Sequence, residues 1–479
     1  MRRLIYIVFA LSCSLFIACN KQLDQQPISD LSSELFWKTA EHAQLGNAAI
    51  YDGIQKTLSG NFTEWGDARS DNFTYGGTGD NQINITLNGL NATTGAANWN
   101  NLYMTIARAN AAIKYLPGIA DLSELQRNNY LAEAYGIRAY MYFYAVRVWG
   151  AVPVRVTPYE DVTQSPNLPR SPADSVINNV IIPDLQKALT LVNPNAISTA
   201  ELNKGGILSI LTEVYMWQKD YTNALAATDQ LIALHRYSLA PTANYKDIFI
   251  TATTKENIWS LSWDFLTDGG NGIAGKIGAS DQTSNYYIDS TVLLKWENNK
   301  VDIRRGIAYD TTVADALSRI ISIWKFYPVD VTTGKPVTPS RAQNEAKLPL
   351  YRWADILLLR AEALNWTGDK PGAFTLLNQV RARARDTALN EADYATQLDV
   401  EKVILDERQL ELFAEGKRWF DLVRTGRALE VMDPLIRQRQ SSLGVAQTGF
   451  ADPRLILWPI SRDALTRDPL LEQNPPYSN

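Results

Sequence analysis

The hydrophobic and polar positions of this chain recur mostly with the 3.6-residue period of an α-helix. Residues 203–235 show the pattern most clearly, because apolar side chains line two helices on either side of a turn at 219–221. The small residues Ala224 and Ala227 lie where the second helix would touch the first. Two antiparallel helices of this length, with small residues at their contact, are typical of a tetratricopeptide unit.

The same order of helix, turn and helix recurs along the chain. In one further unit a Gly-Asp turn at 368–369 is followed by Pro371, near the start of a helix, where proline is favoured. We therefore predict a mainly α-helical single domain at residues 33–479, with tetratricopeptide-like helical pairs as its scaffold. The predicted pairs are the two halves of 203–235, 351–366 with 372–385, 33–58 with 99–116, and 127–149 with 172–191.

Two long segments interrupt the helical pattern. Residues 60–98 are rich in glycine, asparagine and threonine with scattered aromatic residues, and residues 237–347 mix short apolar runs with several tryptophans. Long irregular insertions in a folded domain usually carry function. We therefore expect the ligand-binding residues in these two insertions.

The first nineteen residues predict a lipid anchor. Two arginines precede an apolar run that ends at Cys19, and this run is too short to span a bilayer. The residues around Cys19 resemble a bacterial lipobox, so we predict a signal peptide at 1–18, lipidation of Cys19 and a tether at 19–32. Because Cys13 lies within the signal, the mature chain would have no disulfide.

Composition narrows the function. A chain with 46% apolar and 20% charged residues is globular, and its formal net charge of −5 argues against nucleic acid as a partner. Histidine occurs only at His42 and His235, which leaves little material for a histidine-rich metal site or a Ser-His-Asp triad. No metal or cofactor is predicted. The 13 tryptophans and 22 tyrosines exceed the needs of the core, so some should bind ligands at the surface.

The C-terminal third resembles the SusD/RagB family. The resemblance rests on the long motifs at 348–363 and 406–424, and it extends to the Leu-Trp-Pro-Ile run at 457–460. The end of the chain, 473–477, is also similar, although Pro476 stands where glycine is more usual. Residues 99–110 and 132–140 are similar to the N-terminal half of the family, so the resemblance covers nearly the whole mature chain.

This resemblance implies an outer-membrane lipoprotein that faces the cell exterior and binds nutrients without cleaving them. Members of the family sit as a lid on a SusC-like TonB-dependent transporter, capture oligosaccharides and release them into the barrel. Some branches capture peptides instead, and the acidic chain fits that alternative about as well. A surface glycoside hydrolase using Glu64, Asp67 or Asp71, and a purely architectural adaptor, remain rival hypotheses.

The charged residues of the C-terminal motifs have a structural interpretation. Glu407, Glu411 and Glu415 recur every four residues on one helical face within a leucine-rich segment. Arg352 and Asp355 lie one turn apart in a segment that is otherwise nearly all apolar. Buried charges must be paired, so we predict that these residues form ion pairs between helices and are not catalytic.

The ligand-binding candidates come from the two insertions. Sugars stack their CH faces on aromatic rings while polar side chains bond to their hydroxyl groups. In the first insertion a flexible loop would hold the candidates, with an internal Arg69–Asp71 pair as the structural alternative. The first-insertion candidates are Trp65, Asp67, Arg69, Asp71, Asn72 and Tyr75. The second-insertion candidates are Trp263, Tyr286, Tyr287, Trp296 and Trp324.

Overall fold

The structure is a computed structural model that describes residues 36–76, 80–161, 163–250, 254–277, 285–309, 311, 323–327 and 344–478. The predicted signal peptide, lipidated Cys19 and tether lie outside the described residues. No helix within the described ranges combines the length and apolar character needed to cross a bilayer.

Helices dominate the architecture. The helices before residue 251 are α1 (Ala40–Thr63), α2 (Asp80–Thr86), α3 (Asn100–Tyr115), α4 (Glu124–Trp149), α5 (Ala173–Val176), α6 (Ile182–Leu191), α7 (Lys204–Trp217), α8 (Tyr221–Ile232) and α9 (Asp247–Ile250). The later helices are α10 (Phe265–Asp268), α11 (Gly272–Ile277), α12 (Ser290–Asn298), α13 (Ile303–Ala308), α14 (Trp353–Trp366), α15 (Lys370–Arg383), α16 (Gln397–Glu411), α17 (Arg418–Arg424), α18 (Ala428–Ser442) and α19 (Arg462–Arg467). Short π-helical turns occupy Glu64–Ala68 and Ile177–Ile181.

The strands of the described residues form antiparallel pairs. The pairs are β1 (Phe73–Tyr75) with β5 (Tyr286–Ile288), β2 (Val152–Pro153) with β3 (Arg170–Ser171), and β4 (Asn257–Leu261) with β6 (Leu348–Arg352). The first of these pairs joins the two insertions. Residues far apart in the sequence are therefore adjacent at this point of the surface.

All of the predicted helical pairs are present. Helix α1 packs on α3, α4 on α6, α7 on α8, and α14 on α15. Side-chain caps fix where several of these helices begin: Asp220 accepts from the Asn223 backbone at the start of α8, and Asp369 accepts from the Gly372 backbone at the start of α15. The prediction of a mainly α-helical fold built on tetratricopeptide-like pairs is confirmed.

Glu411, at the end of α16, is fully buried at the centre of an ionic network. Burial alone would raise the pKa of its carboxyl group, but the guanidinium groups of Arg383, Arg352 and Arg304 hold this pKa well below its usual value. Further buried carboxylates pair with the same cations and their neighbours. These pairs are Arg352 with Glu256 at 2.7 Å and with Glu415 at 2.8 Å, Arg383 with Glu256 at 2.7 Å, Arg381 with Glu407 at 2.8 Å, and Lys325 with Glu415 at 2.6 Å.

A second cluster links α14, α16 and α17. The Arg408 guanidinium lies 2.8 Å from both the Asp355 and the Asp421 carboxylates. Asp421 also pairs with Arg424 at 2.7 Å, within α17. Charged side chains of the C-terminal motifs thus pair across elements, and the prediction that they fix the packing is confirmed.

We predict that Glu411→Gln lowers the free energy of unfolding by about 3–5 kcal/mol, because it leaves three buried guanidinium groups without their shared carboxylate. Denaturant unfolding of the mature chain measures this effect. The control is Arg467→Gln, which breaks an exposed pair with Asp463 and should cost less than about 1 kcal/mol. Equal losses for the two variants would contradict a central role for the network.

Candidate functional site

The first insertion begins as an extension of α1 and not as a flexible loop. The helix runs to Thr63 and continues as the π-helical turn Glu64–Ala68. The residues that follow are buried as well, up to Phe73. The prediction of a flexible loop at this point is therefore wrong. The segment has the glycine- and asparagine-rich composition of a loop, but it is packed between other elements.

Trp65 belongs to the core. Its side chain is fully buried, its Nε1 donates to the Ala96 carbonyl at 2.8 Å, and its ring meets the edge of Trp149 at 5.3 Å between centroids. The neighbouring Gly66 lies against Gly416, where a Cβ atom on Gly66 would come within 2.3 Å of the Gly416 carbonyl oxygen. This close approach of two backbones requires glycine at position 66 and docks the segment on the turn before α17.

Arg69 and Asp71 do not pair with each other, contrary to the structural alternative. The Arg69 guanidinium lies 4.1 Å from the centre of the Trp419 ring and donates to the Ile456 carbonyl at 2.9 Å. Asp71 instead forms a bidentate ion pair with Arg418, whose Nε and Nη2 lie 2.8 and 2.9 Å from the two carboxylate oxygens. Both side chains are buried and hold the insertion to the C-terminal motifs.

Asp67 is buried, and no cation among the described residues forms an ion pair with it. Its carboxylate accepts from Asn72 Nδ2 at 2.8 Å and from the Gly416 backbone at 2.6 Å. Burial raises the pKa of Asp67 to about 7, despite these hydrogen bonds. A raised pKa is what a catalytic acid needs, but this carboxyl group is enclosed by protein, and Asn72 is fully buried beside it.

Most aromatic candidates of the second insertion also lie inside the protein. Trp263, Tyr286 and Trp296 are buried, and the Trp296 ring meets Phe413 edge-on at 5.0 Å. Trp324 is half-buried, and its backbone is held by Lys246, whose ammonium group donates to the Trp324 carbonyl at 2.8 Å. The structure does not bring these four side chains together at one surface.

Tyr75 and Tyr287 are the two candidates that border the same surface cleft. They lie on the paired strands β1 and β5, where Thr74 faces Tyr287 and Tyr75 faces Tyr286. Both rings are half-buried, and neither phenol oxygen has a hydrogen-bond partner among the described residues. They line a cleft of about 250 Å³, which we call the tyrosine cleft. Its lining residues are Thr74, Tyr75, Tyr287, Ile288, Asp289, Ser290, Leu293, Leu435, Gln438, Arg439 and Ser442.

A buried arginine holds the base of the tyrosine cleft. Arg439, on α18, donates to the Phe73 carbonyl at 2.7 Å and to the Thr86 carbonyl at 2.8 Å. Its guanidinium also pairs with the Asp289 carboxylate at 2.7 Å. Asp289 in turn caps α12 by accepting from the Thr291 backbone at 2.9 Å. One side chain thus fastens both insertions to the C-terminal part of the chain.

The lining residues from α18 carry no signal in the sequence. Gln438, Arg439 and Ser442 lie in an ordinary polar stretch of a helix about 150 residues after β5 in the chain, so no local pattern marks them. Only the packing of α18 beside the strand pair brings them to the cleft. The aromatic residues in the insertions are the part that sequence alone can indicate.

A second depression lies along α3, away from the predicted residues. Two adjoining parts of about 300 and 410 Å³ share Asn110 and are bordered by the segment 153–168. Polar groups there already bond within the protein: the Tyr103 hydroxyl donates to the Pro153 carbonyl at 2.8 Å, and Asn110 Nδ2 donates to the Arg155 carbonyl at 2.9 Å. The described residues that line this depression include none of the predicted ligand-binding candidates.

Comparisons with known proteins cover nearly the whole chain. Residues 278–477 match the model of the SusD family, and residues 21–216 match a model described as starch-binding and associating with the outer membrane. The SusD-like protein P38 of Formosa agariphila is 30% identical over 518 aligned positions, which cover 99% of each chain.

Solved structures share the fold. A SusD superfamily protein from Bacteroides vulgatus superposes with a TM-score of 0.77 at 18% identity, covering 92% of this chain and 99% of that one. A laminarin-binding SusD-like protein superposes with a TM-score of 0.74 at 22% identity, covering 92% and 100%. At these identities the likeness concerns the fold alone.

We predict that Asp67→Asn stabilises the protein at pH 8, by on the order of 2 kcal/mol, and that this gain shrinks as the pH falls toward 4. The folded-state pKa of about 7 lies above the ordinary value of 3.8, so between these two values the folded state keeps a proton that the unfolded state has lost. The cost of burying Asp67 is therefore absent below the ordinary pKa, grows as the pH rises toward the folded-state pKa, and stays constant above it. In the wild-type protein, Asn72 Oδ1 has no hydrogen-bond partner. If the Asn72 amide flips in the variant, its Oδ1 can accept a hydrogen bond from the new amide at position 67.

Urea unfolding of the wild-type and Asp67→Asn chains at pH 4, 6 and 8 measures this effect. Asp433→Asn is the control, because Asp433 is a solvent-facing carboxylate paired with Arg437 and its pKa is lowered, so its variant should not gain stability at pH 8. A difference between wild type and Asp67→Asn that stays constant with pH would contradict the prediction.

Proposed function

The chain belongs to the SusD/RagB family, and from this membership we propose that it is a cell-surface lipoprotein that captures oligosaccharides for a SusC-like TonB-dependent transporter. The proposed ligand site is the tyrosine cleft. Support for outer-membrane association comes from the family description, and support for a lipid anchor comes from the residues before Cys19. The protein would bind its ligand without cleaving it.

One observation carries the choice of site. Two half-buried tyrosines on paired strands of separate insertions border one cleft, and neither phenol oxygen has a hydrogen-bond partner within the part of the chain that the structure describes. An aromatic face binds the CH-rich face of a sugar ring, while hydroxyl and amide groups such as those of Ser290 and Gln438 bond to its hydroxyl groups. The tyrosine cleft offers both kinds of contact within about 250 Å³.

The positions of the carboxylates support capture over hydrolysis. A glycosidase needs two carboxyl groups flanking the bond that breaks, one of them with a raised pKa. Asp67 and Asp71 lie in the interior, and Glu64 pairs with Lys276 at 3.1 Å. Asp289 is the carboxylate that lines the tyrosine cleft, and it is paired with Arg439.

We predict that the mature chain carrying Cys19→Ser binds one class of oligosaccharide in a calorimetric screen against oligosaccharides and peptides. Tyr287→Ala and Tyr75→Ala should each weaken that binding about tenfold or more, since a lost aromatic contact is worth about 1 kcal/mol and the phenol bonds are lost with it. Tyr159→Ala is the control, because Tyr159 is an exposed tyrosine outside the cleft.

Chromatography of the same samples tests for turnover. Binding that depends on Tyr75 and Tyr287 without product formation supports the proposal. Cleavage products would favour the hydrolase, and binding of peptides alone would favour the peptide-capture alternative. Oligosaccharide binding that is unchanged in both cleft variants would place the ligand site elsewhere on the protein.

A further inference from the structure

We infer that the tyrosine cleft selects uncharged oligosaccharides over acidic ones. This inference rests on the proposed function and adds the chemical class of the ligand. Acidic glycans carry carboxylate or sulfate groups, which lose their hydration on entering a protein cleft. A cleft that binds such groups must supply a cation that no protein carboxylate already occupies.

The two formal charges that line the cleft neutralise each other. Arg439 Nη2 lies 2.7 Å from Asp289 Oδ2, and both side chains are buried. The Arg439 guanidinium also donates hydrogen bonds to the carbonyl groups of Phe73 and Thr86, and its Nε is shielded from solvent. It is therefore a structural cation with little capacity left for a ligand anion.

The helices that border the cleft offer no other free charge. Helices α12 and α18 are described in full, and every charged side chain on them has an ion-pair partner. The pairs are Lys295 with Asp406, Glu297 with Arg305, Glu430 with Arg427, Asp433 with Arg437, and Arg439 with Asp289. An acidic sugar would have to break one of these pairs to gain a cation from either helix.

The remaining polar side chains among the described lining residues are neutral. They are the hydroxyl groups of Thr74, Tyr75, Tyr287, Ser290 and Ser442 and the amide of Gln438. Hydroxyl and amide groups donate and accept equally, which matches the hydroxyl groups of a neutral sugar. An uncharged ligand therefore enters the cleft without losing the hydration of a charge. An anionic ligand would lose that hydration, and the described lining residues offer it no free cation in return.

The first test measures binding of matched probes to the mature chain carrying Cys19→Ser. Maltoheptaose, laminarihexaose and a wider array of neutral oligosaccharides are compared with hexagalacturonate and hexamannuronate, in 20 mM and 500 mM NaCl. We expect at least one neutral probe to bind with an affinity that changes less than twofold with salt, and the acidic probes to bind at least tenfold more weakly.

A charge placed at the rim gives the second test. Gln438 is exposed and lines the cleft, so Gln438→Lys and Gln438→Glu change the charge with little effect on the fold. Gln438→Lys should create salt-sensitive binding of the acidic probes, raising their affinity about tenfold over wild type. The matched variant Gln438→Glu should leave acidic probes unbound, which separates the effect of charge from the loss of the amide.

The outcomes separate the inference from the proposed function. Acidic probes that bind wild type more tightly than neutral ones, with binding lost in 500 mM NaCl, would overturn the inference and leave oligosaccharide capture intact. Absence of binding by every probe, neutral and acidic, would contradict the proposed function and the inference with it. Neutral binding by wild type, together with new salt-sensitive binding of the acidic probes in Gln438→Lys, supports both.

Discussion

The buried network around Glu411 is the interaction on which the rest of the structure depends. Three guanidinium groups from α13, β6 and α15 converge on one carboxylate that is itself inaccessible to water. Such charges are costly to bury singly, so each is stable only when the others are in place. The helical scaffold, the strand pair β4–β6 and the second insertion, which supplies Arg304, Lys325 and Glu256, are thereby fixed to one another.

The C-terminal motifs extend this dependence to the first insertion. Beyond Glu415 the chain turns at Gly416, which donates to Asp67, and Arg418 then pairs with Asp71. The start of the first insertion is thus anchored to the same motifs, although it lies about 350 residues earlier in the chain. Strand β1 follows this anchored segment, and Asp289, directly after β5, pairs with Arg439, so the scaffold holds the cleft on both sides.

The sequence allows the scaffold to be predicted because its determinants are local. The 3.6-residue period and the capping residues mark the helical pairs, and a charge in an apolar helix such as Asp355 points to a buried partner. The positions of Trp65 and Asp67 depend instead on Gly416 and Trp149, which the sequence places far away. The composition around them is typical of a loop, which indicates binding roles for side chains that in fact pack inside the protein.

The separation between the buried pairs and the cleft lining has an evolutionary consequence. Tyr75, Tyr287 and Gln438 lie at the rim and make none of the buried ion pairs, so exchanging them removes little that stabilises the fold. Proteins tolerate mutation as long as stability stays above a threshold, and changes at such a rim use little of that margin. Diversification of what is captured can then proceed by substitution at a few rim positions, while the scaffold is preserved by selection on its charged interior.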